Sequence, residues 1–216
     1  MKAGEEFRPV TWEEFDEAPS PRVIKSHAPS KLLLGMDNNS DLVDGAKIII
    51  ISRNPLDACV SRFHHAFNPY KSGWSFPAWA AVWLSGNTTY GCWFEWVRDW
   101  SLRAKTNQDQ ILWLQYENMK VNSHDQIKRI IDFLGVSQGQ DIPSLIEKVA
   151  EGCSFESMKK QASEKESSGD FQGHLRKGIV GDWRNYFTET MTNEFLDKYK
   201  KELAGTDLVY DFGSDV

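Results

Sequence analysis

The run Ala46-Lys47-Ile48-Ile49-Ile50-Ile51-Ser52 constrains the fold more than any other stretch of these 216 residues. Consecutive isoleucines leave no polar face for water, so the segment reads as a strand buried on both sides, central in a parallel sheet. Arg53-Asn54-Pro55-Leu56-Asp57 follows directly. Asn54 suits a helix cap, Pro55 the first helical position, and Asp57 a capping-box-like arrangement. Such a junction aims free amide groups and the positive end of a helix dipole at whatever lies above the strand, which favours phosphate. Arg53 adds a full charge, and Ser61 falls on nearly the same helix face at a period of about 3.6 residues. On the residues alone, a surface charge at Arg53 and a small helix-contact residue at Ser61 are equally open readings.

Gln110-Ile111-Leu112-Trp113-Leu114-Gln115-Tyr116 reads as a second buried strand. Arg22-Val23-Ile24-Lys25 reads as a short strand delivering Ser26 and His27 to its end, where Pro29 steers the chain into a loop. That is where α/β sheets place ligands. Residues 1–20 form an acidic, irregular lead-in, and Asp37–Asp41 a polar loop. Between the two long strands, helices are expected over 76–84 and 89–104. Tyr90, Trp93, Phe94, Val97 and Trp100 keep helical spacing in the second, as core or as lining of an acceptor pocket. Ile127, Ile130, Ile131 and Leu134 mark a helix closing at Gly135, another is expected over 142–151, and a last one runs from the Thr188 cap to about Leu203. Residues 161–173 make a polar loop expected to be mobile. The alternation predicts an α/β fold, a parallel sheet flanked by helices, in a single domain over 1–216.

A net charge of -6 argues against a general nucleic-acid or anionic-membrane partner, so any bound anion needs a local pocket. Cys59, Cys92 and Cys153 are widely spaced and read as reduced, mostly buried thiols. The histidines include no HExxH arrangement and support no metal site. The acidic start fits neither a secretory nor a transit peptide, and no apolar run reaches membrane-spanning length, so cytoplasmic is the expected location.

Near the C-terminus, Leu175-Arg176-Lys177-Gly178-Ile179-Val180-Gly181-Asp182-Trp183-Arg184-Asn185-Tyr186-Phe187-Thr188 has the chemistry of an anion clamp. Arg176 and Lys177 precede Gly178, which lets backbone and ligand approach closely. The stretch resembles the Arg-Lys-Gly-x-x-Gly-Asp-Trp signature of the cytosolic sulfotransferases, which use 3'-phosphoadenosine 5'-phosphosulfate (PAPS) as sulfuryl donor. Arg53 to His65 is similar to that family's Arg-Asn-Pro-x-Asp-x-x-Val-Ser segment, whose arginine and serine hold the donor's 3'-phosphate. Lys25-Ser26-His27-Ala28-Pro29 resembles the element carrying its catalytic base.

The resemblance implies a P-loop-containing-NTPase-like fold, with His27 as general base and Lys25 assisting. It further implies that Arg53, Ser61, Arg176, Lys177 and Gly178 hold the 3'-phosphate and that Tyr116 contacts adenine. Cys153, Ser154, Phe155 and Met158 then lie along the nucleotide, with Cys153 standing where the family has threonine and offering only a weak thiol donor. His65, Phe67 and Trp74 are flagged as acceptor-pocket residues for a small organic hydroxyl or amine. Arg184, Thr188, Glu189 and Glu194 occupy the family's dimer motif with a charge replacing its valine, which implies a monomer or a different dimer.

The family's opening strand and Pro-Lys-Ser-Gly-Thr-Thr-Trp phosphate loop, with the helix after it, have no counterpart in this sequence; Lys71-Ser72-Gly73-Trp74 follows no predicted strand. The expectation is therefore a sulfotransferase fold without that first strand, loop and helix, binding PAPS weakly and turning over slowly or not at all. The alternative is a catalytically impaired nucleotide-binding remnant that acts by interaction.

Overall fold

In the computed structural model, residues 11–33, 45–67, 73–139, 141–164 and 175–213 are described. The expected loop at Asp37–Asp41, most of the one at 161–173, Lys71, Ser72 and the Phe67 side chain lie outside that description. The first described element is short helix α1 (Trp12–Glu17), inside the expected irregular lead-in. A reciprocal cap explains it: the Glu14 amide donates to Thr11 Oγ1 at 3.2 Å, and the Thr11 amide to Glu14 Oε2 at 3.1 Å. Helix α2 (Ser30–Leu33) follows. The strand expected over Arg22–Lys25 is absent. Val23 is 94% exposed and Ile24 67%, and among the described residues no strand pairs with this segment to form a ladder.

Strand β1 (Ile48–Ser52) pairs in parallel with β2 (Ile111–Gln115), Ile48 opposite Ile111 and Ser52 opposite Gln115. Among the described residues these are the sheet's two strands, so β1 is not flanked on both sides. Nor is it buried on both faces: Ile50 is 6% exposed but Ile51 51%. Between the strands run α3 (Pro55–Phe67), α4 (Phe76–Ser85) and α5 (Trp93–Thr106). The last starts later than its aromatic spacing suggests, because Gly86 (φ 81°) and Gly91 (φ 80°) shape a turn that leaves Tyr90 outside the helix. After β2 come α6 (Tyr116–Val121), α7 (Ser123–Leu134), α8 (Ile142–Gly152), α9 (Phe155–Glu164), a 3-10 turn (Asp182–Asn185) and α10 (Glu189–Glu202).

Leu56, Cys59, Val60 and Phe63 recur at helical spacing and give α3 one apolar face. That face packs in a core with Phe76 and Trp79 of α4, Phe94 and Val97 of α5, Trp183, Phe187 and Phe195. The core therefore clamps the N-terminus of α3 against the segment around Trp183. All three cysteines are free; Cys59 is buried as expected, whereas Cys153 is exposed. No helix among the described residues is long and apolar enough to cross a membrane.

Candidate anion site and acceptor cleft

Strand β1 ends at Ser52, and Arg53 and Asn54 make the turn into α3. Asn54 caps the helix by accepting from the Asp57 amide at 2.8 Å. Its own amide nitrogen donates to Glu117 Oε1 at 2.7 Å, tying the ends of β1 and β2 together. Asp57, with its side chain fully buried, accepts from the Gly181 amide at 2.7 Å and the Trp183 amide at 2.9 Å. One carboxylate thus fastens the C-terminal anion segment to the N-terminus of α3. Burial raises the pKa of Glu117, opposed by the Asn54 bonds and the Arg53 charge.

Arg53 Nη2 donates to the Ile179 carbonyl at 2.8 Å across 126 positions of sequence. Its guanidinium carbon lies 4.4 Å from the Tyr116 ring centroid, a cation–π contact, and 3.7 Å separates Nη2 from Asp57 Oδ2. Arg53 Nε is buried without a protein partner. Arg176 and Lys177 converge on Asp182, Lys177 Nζ at 2.6 Å, and Asn185 Nδ2 adds a bond at 2.8 Å. The structure therefore brings together Arg53, Tyr116 and the 176–181 segment, and it holds Arg176 and Lys177 beside one another.

The Asp182 side chain is 1% exposed. Burial would raise its pKa, but the bonds from Lys177, Arg176 and Asn185 outweigh it and hold the carboxyl below its usual range. A folded-state pKa below the unfolded one gives stability that is complete above the unfolded value, about 4, and is lost as pH falls through the folded value. Thermal melts between about pH 7 and about pH 3 are expected to show a Tm gap between the wild type and Asp182→Asn that closes at the acid end. A gap constant with pH would remove this role.

Gly178 has φ 66°, and a Cβ there would lie 2.7 Å from Phe155 Cδ2. The atoms that crowd this glycine belong to the chain's own Phe155 ring. Phe155 opens α9, capped by Ser154 Oγ, which accepts from the Ser157 amide at 3.1 Å. Met158 is half-buried on that helix, whereas Cys153 is exposed at its approach. Ser61 is exposed on α3, and its side chain makes no bond that joins it to Arg53 or Arg176.

A second place lies around His27. An open cleft of about 740 Å³ is lined by Lys25, Ser26, His27, Leu32, Thr89 and Tyr90, among others. Trp96 and Trp100 of α5 donate their indole N–H groups to the Ala28 carbonyl at 3.2 and 3.4 Å, and Ser30 donates to Asp99. Two of the tryptophans thus fix the chain that carries His27. The His27 and Tyr90 rings are 5.0 Å apart, and Arg62 Cζ lies 4.9 Å from the Tyr90 ring centroid. Partial desolvation and the charges of Lys25 and Arg62 lower the His27 pKa, so the imidazole is neutral near pH 7. Helix α3 links the two places, since Arg53 precedes its first turn and Arg62 lies next to Ser61. His65 is exposed at the C-terminal end of that helix and Trp74 is 42% exposed.

Sequence reasoning assigned no site role to Glu117, Asp182, His64 or Tyr186. His64 Nε2 lies 2.8 Å from the Tyr186 hydroxyl, which also accepts from Arg176 Nη1 at 3.5 Å. Burial and the Arg176 charge lower the His64 pKa. Asp182 stands inside the Arg-Lys-Gly-x-x-Gly-Asp-Trp signature and His64 near the end of the Arg53 to His65 segment, but nothing local shows that these segments meet. In the dimer-motif region, Arg184 donates to the Phe212 and Gly213 carbonyls at 2.9 and 3.2 Å, Thr188 caps α10, and Glu189 and Glu194 are exposed.

Comparison with known proteins gives a consistent result. The model of the sulfotransferase domain matches residues 8–207. Sulfotransferase 1B1 of Mus musculus is 34% identical over 212 residues, covering 92% of this chain and 66% of that protein. The chain thus spans about two thirds of the length of the curated relatives it matches. The crystal structure of mouse sulfotransferase SULT7A1 complexed with PAP superposes with a TM-score of 0.73 at 29% identity, over 91% of this chain and 70% of that one. Retinol dehydratase in complex with androsterone and the inactive cofactor PAP gives 0.71 at 27%, over 90% and 57%.

Proposed function

Because the chain belongs to the sulfotransferase domain family, we propose that it serves sulfuryl transfer from PAPS to a hydroxyl or amine of a small organic acceptor, in the cytoplasm. The observation that carries the reading is the meeting of Arg53 with the 176–181 segment at the N-terminus of α3. Cations, a helix N-terminus and the unpartnered Arg53 Nε form a donor set that suits a phosphate. Arg53, Ser61, Arg176, Lys177 and Gly178 are the residues that would hold the 3'-phosphate. Tyr116, already a platform for the Arg53 cation, Cys153, Ser154, Phe155 and Met158 would border the adenosine.

At the reacting end, His27 accepts the acceptor's proton as the acceptor oxygen or nitrogen bonds to sulfur. The sulfur–oxygen bond of the donor breaks and leaves 3'-phosphoadenosine 5'-phosphate. Lys25 offsets negative charge on the sulfuryl oxygens. Such a loose in-line transfer depends on positioning and charge stabilisation more than on covalent help. His27 suits the task because it is neutral and is held by the two indole bonds to Ala28.

Calorimetry with 3'-phosphoadenosine 5'-phosphate tests the nucleotide side. Arg53→Ala and Arg176→Ala are each expected to weaken binding at least about tenfold, the size of a lost charge-assisted hydrogen bond. Unchanged affinity in both would sink the assignment. In a sulfation assay His27→Ala is expected to lose turnover while keeping nucleotide affinity. Nucleotide binding by the wild type without any sulfuryl transfer would instead assign the chain the non-catalytic, interaction-based role.

A further inference from the structure

We propose that the cleft beside His27 takes acceptors that carry an anionic group, a hydroxyaryl carboxylate or its like, and that Arg62 is the residue that reads the charge. The word acceptor rests on the sulfotransferase reading; the charge preference rests on the cleft itself.

Most cations near the sites of this protein are already neutralised. Arg53 faces Asp57, Arg176 and Lys177 share Asp182, and Arg103 is paired with Asp99. Around the His27 cleft the pattern is reversed. Among the described residues neither Lys25 nor Arg62 forms an ion pair, and the lining contains no aspartate or glutamate. Asp99, which lies behind the cleft, is engaged by Ser30 and Arg103. Among the described residues this cleft is therefore locally positive in a chain of net charge -6.

Geometry separates the roles of these cations. Lys25 is two residues from His27 and is used by the transfer itself. Arg62 is held away from His27 by one aromatic ring, since Tyr90 contacts both, at 5.0 Å from the imidazole and 4.9 Å from the guanidinium carbon. Arg62 does not itself line the cleft but lies against Tyr90, which does, so a planar acceptor with its hydroxyl at His27 would lie along Tyr90 with its anionic group toward that guanidinium. A guanidinium fork suits a carboxylate, and stacking on Tyr90 fixes its orientation. The sulfuryl donor is itself anionic, so the test must tell donor charge from acceptor charge.

The experiment is calorimetric binding of 4-hydroxybenzoate and of its uncharged methyl ester to the full chain, with and without 3'-phosphoadenosine 5'-phosphate. The carboxylate is expected to bind about tenfold more tightly than the ester, a preference that shrinks as salt is raised. Arg62→Ala is expected to abolish the preference while leaving ester affinity within about twofold, and Arg62→Lys, which keeps the charge and guards against a folding artefact, to retain part of it. Equal or tighter binding of the ester, no binding of either, or a preference that survives Arg62→Ala overturns the proposal. So does an Arg62→Ala effect confined to nucleotide affinity, which would assign the charge to the donor. Loss of the carboxylate preference with nucleotide binding intact leaves the sulfotransferase reading standing. A clear preference in a chain that binds no nucleotide defeats that reading and keeps this one.

Discussion

Replacing Asp57 with alanine is expected to cost about 3–5 kcal/mol of folding stability, the range for breaking a buried charged network from one side. Its carboxylate accepts the Gly181 and Trp183 amides and Asn54 Nδ2 at 2.7, 2.9 and 3.0 Å, with the side chain fully buried. Alanine removes the acceptor of the Gly181 and Trp183 amides, each worth about 1–3 kcal/mol before relaxation, while Asn54 Nδ2 keeps Glu117 Oε1 at 3.1 Å and the Asp211 carbonyl at 3.2 Å. Asp57→Asn keeps the shape but turns a donor toward one of the amides, so it should fall between, and it serves as the readable variant if the alanine protein does not fold. Urea unfolding checks this as a lower midpoint with unchanged slope. A cost for Asp57→Ala below about 1 kcal/mol would show that water or rearrangement satisfies the amides. Because the same carboxylate anchors the segment that carries Arg176 and Lys177, nucleotide affinity is expected to fall with stability.

The strands and caps around that network were legible because their causes are local. The isoleucine run and Ile111–Leu114 mark β1 and β2, Asn54-Pro55 starts α3, and Gly135 stops α7. Each is a preference of a few adjacent residues for one backbone conformation. The failures were failures of partnership. Val23 and Ile24 look like strand residues, yet a strand exists only where another edge accepts its hydrogen bonds. Ile51 looks like a buried residue, yet its exposure depends on what covers that face of the sheet. The Thr11–Glu14 cap is a local signal of the same kind, outweighed in the sequence by the surrounding acidity, which suggests an irregular segment.

The site divides along the same line. Motif resemblance singled out Arg53 and Arg176, and the fold brings Arg53 onto Ile179 and holds Arg176 on Asp182. No spacing rule contains that convergence, since the contact spans 126 positions. The carboxylates were harder still. Asp57 reads as a cap and Glu117 stands just past the expected second strand, but the first is a joint between α3 and the Gly181 turn and the second a joint between the two strands. A buried acid is visible only once its donors arrive from elsewhere in the chain.

Gly178 carries the second large expectation, and here the structure changed the partner. A residue with a side chain at φ 66° meets left-handed strain of about 1–2 kcal/mol. Its Cβ would also stand 2.7 Å from Phe155 Cδ2 and 3.1 Å from Cε2, so the ring or the segment must shift. Gly178→Ala is therefore expected to cost about 2–4 kcal/mol in stability and to weaken 3'-phosphoadenosine 5'-phosphate binding by more than about tenfold, because Lys177 is the adjoining residue. The two contributions can be separated. In a Phe155→Leu background the steric part should ease while the backbone part stays, leaving about 1–2 kcal/mol for the same glycine change. Urea unfolding of the four proteins in that cycle measures the coupling directly. An identical cost in both backgrounds would mean that the ring is not what limits the position, and the reading that Gly178 makes room for a ligand rather than for Phe155 would regain its force.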